Sequence, residues 1–109
     1  MSFEVRTIPE FERRLRALAK RYRSMRSDFA QLLSELAQDP KAGTALGRSC
    51  YKVRMRIAAK GRGKSGGARV ITYVHVAGST VWLLTIYDKS EQATITDKEL
   101  SALLVDLPR

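Results

Sequence analysis

The run Thr80-Val-Trp-Leu-Leu-Thr-Ile-Tyr87 constrains this chain most, because it is nearly continuous apolar and rich in β-branched and aromatic residues. Such a run predicts a central strand. Two more strand runs precede it. Ala68 to Ala77 is β-branched and aromatic, and Gly78-Ser79 parts it from the next run by a hairpin-sized turn. Before that, Tyr51, Val53, Met55 and Ile57 alternate with Lys52, Arg54 and Arg56. Alternate residues of a strand point to opposite faces. Short connections between these three strands predict an antiparallel meander. Phe3-Glu-Val-Arg-Thr-Ile8 also alternates and reads as a first strand that needs a helical crossover to join the sheet.

The segment between supplies that crossover. Pro9 fits the first position of a helix, and Phe11, Leu15, Leu18 and Tyr22 form one stripe opposite Glu12, Arg13, Arg16 and Lys20. Ser24 is placed to cap a second helix, whose stripe is Met25, Phe29, Leu32, Leu33 and Leu36 and which should stop before Pro40. Residues 41–49 read as loop with room for a short extended piece. Thr96-Asp-Lys-Glu99 is a capping box, and Leu100, Leu103, Leu104 and Leu107 follow it at helical spacing, so a third helix packs on the sheet or on a partner. The expectation is an α+β fold of order β-α-α-β-β-β-α in one small domain, residues 1–109, mostly antiparallel, with helices packed on one face and the other face partly open.

Charge says what the open face is for. The chain has 20 Lys and Arg against 11 Asp and Glu, a formal charge of +9. Residues 1–39 carry eight basic and six acidic side chains, and residues 88–109 carry three and five. Residues 40–87 carry nine basic side chains and no acid. An acid-free stretch of this length suggests a polyanion surface, most often nucleic acid, against the plainer reading of a merely soluble basic surface. The cations are not on a long amphipathic helix, which argues against a membrane-surface role. No apolar run approaches the ~18 residues of a membrane span. The first residues lack the apolar core of a secretory signal, and the one cysteine, Cys50, suits a reducing compartment, so a cytoplasmic location is expected. One Cys and one His, His75, are too few for a zinc site. No metal or cofactor is expected.

Parity sorts the cations. Lys52, Arg54 and Arg56 share one face of their strand; Arg69, Ile71, Tyr73 and His75 share one of the next; Thr85, Tyr87 and then Lys89 share one of the third. Aligned, they make a sheet surface of five cations with interleaved rings. Tyr51, Val53, Met55, Ile57, Val70, Val74, Val76, Trp82, Leu84 and Ile86 would face the helices, although a single bulge would change that alignment. Cations bind phosphates and rings stack exposed bases, so the surface suits RNA. Chemistry is also open to it. A lysine can act as a base where neighbouring cations disfavour its charge, so Lys52 or Lys89 could take a proton from a 2′-OH. Arg54 and Arg69 could stabilise charge on the phosphate, and Tyr87 could position the substrate or act as an acid. Phosphate binding without chemistry remains equally open from these residues.

Gly61-Arg-Gly-Lys-Ser-Gly-Gly67 contains Gly-Lys-Ser, but a P-loop needs glycine where Ala58 stands and a helix where a strand follows. The stretch reads as a basic loop, with Lys60, Arg62 and Lys64, able to grip RNA backbone beside Arg56 and Tyr73. His75 reads as a surface or edge residue, and Cys50 as a small residue at a strand start.

Three segments carry a resemblance over about residues 3–107: Cys50-Tyr-Lys-Val-Arg-Met-Arg56, Lys60-Gly-Arg-Gly-Lys-Ser-Gly-Gly-Ala-Arg-Val-Ile-Thr-Tyr73 and Leu84-Thr-Ile-Tyr-Asp-Lys-Ser-Glu91. They resemble the RelE/ParE superfamily of toxins from type II toxin–antitoxin modules, and the glycine-rich loop resembles its HigB-type branch. The resemblance implies a cytoplasmic endoribonuclease that cuts mRNA on the ribosome, uses the substrate's 2′-OH as nucleophile and needs no metal. It matches Lys52 and Arg54 to the family's basic catalytic strand, Arg69 to an arginine at the scissile phosphate, and Lys89 to a basic residue after the last strand. Some members use a tyrosine near the C-terminal helix; Gln92 to Glu99 contains none, which leaves Tyr87 as its substitute. The resemblance also implies a cognate antitoxin, often with a helix-turn-helix domain. The alternatives are a ParE-like inhibitor of DNA gyrase that cleaves no RNA and a noncatalytic RNA-binding module.

Overall fold

A computed structural model describes residues 3–61 and 63–107. Strand β1 is Glu4–Thr7. Pro9 stands at the first position of helix α1, Pro9–Arg21, and helix α2 is Met25–Gln38. The loop expected at 41–49 holds a short strand, β2, Thr44–Gly47, so the order has one strand more than the sequence suggests. Strands β3, Cys50–Met55, β4, Ala68–His75, and β5, Thr80–Asp88, make the expected meander. Helix α3, Asp97–Val105, starts with the anticipated capping box: Thr96 accepts from the Glu99 amide and the Glu99 side chain accepts from the Thr96 amide. The sheet order is β1-β5-β4-β3-β2. β1 runs parallel to β5, as its helical crossover requires, and the other neighbours are antiparallel.

Ser24 occupies the N-cap of α2 but makes no capping hydrogen bond. Its hydroxyl donates to Asp28 (2.6 Å) and accepts from the Ala59 amide (2.8 Å), while Asp28 accepts from the Ala58 amide. The turn at Ala58–Lys60 is thereby pinned to α2 at the mouth of the glycine-rich loop.

Antiparallel partners share a face, so the rows Met55–Ala68–Asp88, Val53–Val70–Ile86 and Tyr51–Thr72–Leu83 lie together. They form the side covered by Phe11, Leu18, Met25, Leu32 and Leu36 of the two long helices. The opposite face holds Arg54–Arg69–Tyr87, Lys52–Ile71–Thr85 and Cys50–Tyr73–Trp82. Apolar residues of β4 and β5 therefore need cover on both sides. α3 supplies it on this second face, where its Glu99, Ala102 and Leu103 and the following Asp106 share a cavity wall with Thr85 and Tyr87.

One register shift, between Ile71 and Thr72, leaves Leu84 as an extra residue on β5. Below it parity inverts. The sequence places Trp82 with the helices, but the bulge turns it to the face of Tyr73, where Arg6 lies 6.0 Å from its ring, and puts fully buried Leu83 on the helix side.

Asp88 closes the helix side. It is 2% exposed and accepts from Tyr22 Oη (2.5 Å), Lys60 Nζ (2.8 Å), Ser90 Oγ (2.8 Å) and the Ser90 amide (3.0 Å). Burial by itself would raise its pKa, but these hydrogen bonds outweigh it and hold the carboxyl well below the usual carboxylate range. At the other end of the loop, the Lys89 amide donates to Gly67 O (3.1 Å). The loop 60–67 is thus fastened at both ends to residues 88 and 89.

Gly67 is where β4 meets β3 too closely for a side chain: a Cβ there would lie 2.1 Å from Met55 O. Gly67→Ala is expected to cost at least ~1–3 kcal/mol by overpacking, read as a lowered midpoint in urea. For Asp88, a folded pKa below the unfolded value near ~3.9 gives stability that is complete above that value and lost as pH falls toward the folded one. Asp88→Asn strands the Lys60 ammonium and should cost about 3–5 kcal/mol at pH 7. It should also flatten the loss of stability below pH ~4, measured by denaturation across pH.

Candidate nucleic-acid interface

The second sheet face brings the sequence-predicted cations together. Arg54 pairs with Arg69 and Arg69 with Tyr87, and Lys52 sits in the next row beside Ile71 and Thr85. Lys52 is half-buried and Arg54 exposed. Arg56 lies past the end of β3 and Lys89 past the end of β5, both exposed. These positions follow from the period of two in β3 and β4 and from a register without slips between them.

Arg69 is held firmly. It is 4% exposed; Nη1 donates to Lys64 O and Ala68 O (both 3.1 Å), and Nη2 to Ser65 O (3.0 Å). Burial, and then the neighbouring Arg54 charge, shift its pKa downward. Its guanidinium therefore serves as the inner anchor of the glycine-rich loop as well as a charge behind Arg54. Lys64 continues the loop and faces Glu35 at 3.5 Å. Arg62 lies outside the described residues.

Other expected members are placed differently. The Lys60 ammonium donates to Asp88 at 2.8 Å and lies 5.6 Å from the Tyr22 ring, so it braces the loop. Tyr87 is 4% exposed, and its hydroxyl is buried without a hydrogen-bond partner among the described residues. It lines a cavity of about 290 Å³ with Glu10, Arg14, Thr85, Gln92 and Glu99. Burial raises its pKa, the Arg69 charge opposes this and Glu99 adds to it, so the phenol is held neutral. Tyr73 is half-buried, between Cys50 and Trp82 in its row. His75 is exposed and pairs with Thr80, about 20 Å along β4 from Arg69 at the usual strand rise. Cys50 is buried, which raises its thiol pKa. Among the described residues no group of three His, Cys, Asp or Glu could hold a metal ion, and no helix is long and apolar enough to cross a membrane.

The sequence pattern puts Trp82 on the helix side, because a bulge has no signature in this strand. Sequence reasoning passes over Asp88, whose one visible signal is an acid at the end of an acid-free stretch, directly after an apolar strand.

Arranged this way, the face carries a half-buried lysine and an exposed and a buried arginine in two neighbouring rows, with a further lysine beyond the end of β5. That set can bind a phosphodiester and stabilise charge on it. The fold is shared with solved toxins. The free-state structure of a doubly substituted Escherichia coli RelE toxin matches with a TM-score of 0.61 at 18% identity, covering 97% of this chain and 94% of that one. A chain of the intact E. coli RelBE toxin–antitoxin complex matches with a TM-score of 0.60 at 19% identity, over 80% of this chain and 96% of that one. The toxin–antitoxin complex RelBE2 of Mycobacterium tuberculosis gives 0.59 and 17%, over 81% and 92%. A family model described as the RelE toxin of the RelE/RelB toxin–antitoxin system matches residues 11–105. With that match spanning most of the domain and the fold in agreement, this chain belongs to the RelE toxin family.

Proposed function

We propose that this toxin is an endoribonuclease that cleaves mRNA in the ribosome and is neutralised by a cognate antitoxin. The observation that carries the reading is the cross-strand set Lys52, Arg54 and Arg69 with Lys89 at the end of β5, on a face built from a stretch without a single acid. In the reaction, the substrate 2′-OH attacks the neighbouring phosphorus and the 5′-oxygen leaves. Lys52 takes the 2′-OH proton. Arg54 and Arg69 face the non-bridging oxygens, where negative charge builds. Lys89 gives a proton to the leaving 5′-oxygen, so that the cut leaves a 2′,3′-cyclic phosphate on one product and a 5′-hydroxyl on the other. Tyr87 forms a wall behind Arg69. The neutral hydroxyl of Tyr87 lies beneath α3, as its burial with the cavity-lining residues of that helix indicates.

Such a face is dangerous to its host when free. An antitoxin segment of acidic and apolar residues that folds on binding suits it in charge and shape, and two of the structural neighbours are toxin–antitoxin complexes.

Induction followed within minutes by mapping of mRNA 5′ ends tests the reading. Cuts in phase with codons on translated messages are expected; intact messages with DNA-damage signalling would point to gyrase instead. Arg54→Ala and Lys89→Ala should each lower cleavage by roughly 10²–10³-fold, the usual effect of losing one charge-stabilising donor, with unfolding midpoints close to wild type because both side chains are exposed. Undiminished cleavage in both variants would remove these residues from the site. Tyr87→Phe deletes a buried hydroxyl that has no partner among the described residues. It should raise stability by up to ~1 kcal/mol in chemical denaturation and change cleavage only a few-fold.

A further inference from the structure

Between the glycine-rich loop and the turn after β5 lies an open cleft of about 520 Å³, lined by Lys60, Ser65, Gly66, Lys89 and Ser90. Its lining has two ammonium groups and two hydroxyls and no carboxylate. Asp88 lies under it and fixes two of these donors: it accepts from Lys60 Nζ and Ser90 Oγ, both at 2.8 Å, while its own side chain is 1% exposed. An ammonium has three N–H donors, so Lys60 keeps two beyond the one Asp88 takes. The far wall is equally set. Ser65 O is held by Arg69 Nη2 at 3.0 Å and Gly67 O by the Lys89 amide at 3.1 Å. The cleft is therefore built and pre-ordered, and its Ser65 wall is hydrogen-bonded to the buried guanidinium of the cross-strand set.

Resting on the RNA-cleavage reading above, we propose that this cleft is a subsite for a second backbone phosphate of the RNA, next to the one that Arg54 and Arg69 face. Point charges and hydroxyls, without a ring or a side-chain amide, recognise a phosphate and not a base. The subsite thus holds the strand on one side of the cut whatever nucleotide is there, and Lys89 stands between the two phosphates.

The test uses ribosomes programmed with mRNA whose A-site codon carries 2′-O-methyl groups, which removes the nucleophile and separates binding from cleavage. Each phosphate around the cut site is replaced in turn by a neutral methylphosphonate. Wild type is compared with Ser65→Glu, which puts an acid in the cleft, and with Ala30→Glu, which adds the same charge on the exposed surface of α2. Neutralising one phosphate beside the cut site should weaken wild-type binding about tenfold. Ser65→Glu should lose about tenfold on the natural linkage and little more on that methylphosphonate, because both changes remove one contact. Additive losses, or a Ser65→Glu loss no larger than that of Ala30→Glu, overturn the subsite. A protein that shows the coupling but leaves ordinary mRNA intact refutes the cleavage reading and keeps the subsite. One that cuts mRNA without the coupling does the reverse, and no binding to programmed ribosomes overturns both.

Discussion

The antiparallel register of β3, β4 and β5 is the constraint on which the basic face depends. It places Arg54 opposite Arg69 and Arg69 opposite Tyr87, with Lys52 one row away. A shift of one residue would send every one of these side chains to the opposite face. The register is secured by the rows behind it, Val53–Val70–Ile86 and Met55–Ala68–Asp88, which are buried against α1 and α2 and could not be turned outward without losing that burial.

The face is built against its own electrostatics. Two arginines directly opposite each other repel, and one of them is buried. Arg69 is kept there by three backbone carbonyls, which take three of its five N–H donors without a counter-charge that would cancel the field. The neutralising acid, Asp88, lies on the other side of the sheet, where it ties Tyr22, Lys60 and Ser90 together. Clustered like charges held in place by a scaffold are the usual mark of a functional site and not of a stabilising one. The glycine-rich loop joins the two systems, since Lys60 answers to Asp88 and the carbonyls of Lys64 and Ser65 answer to Arg69.

Much of the fold could be read residue by residue. Pro9 and the Thr96–Glu99 box act within a few residues of themselves, so their signals survive folding unchanged. Ser24 has the right residue type for a cap, yet its hydroxyl is taken by Asp28 and Ala59, the latter far away in sequence. The site divides in the same way. Lys52, Arg54 and Arg69 fall where alternation puts them. Lys60 and Tyr87 are basic and aromatic in the expected places, but one also braces Asp88 and the other is buried among residues of α1 and α3.

The sequence by itself determined the element order apart from β2, the face that each residue of β3 and β4 takes, and the concentration of positive charge between residues 40 and 87. These follow from local backbone preference and a period of two, which a linear chain states directly. Only the tertiary structure decided that Leu84 bulges and turns Trp82 toward Tyr73, that α3 covers the second face, and that Lys60 and Arg69 clamp a loop as well as carry charge. Each of these is a choice of partner among groups distant in sequence, settled by which buried donor or apolar surface would otherwise be left unmatched.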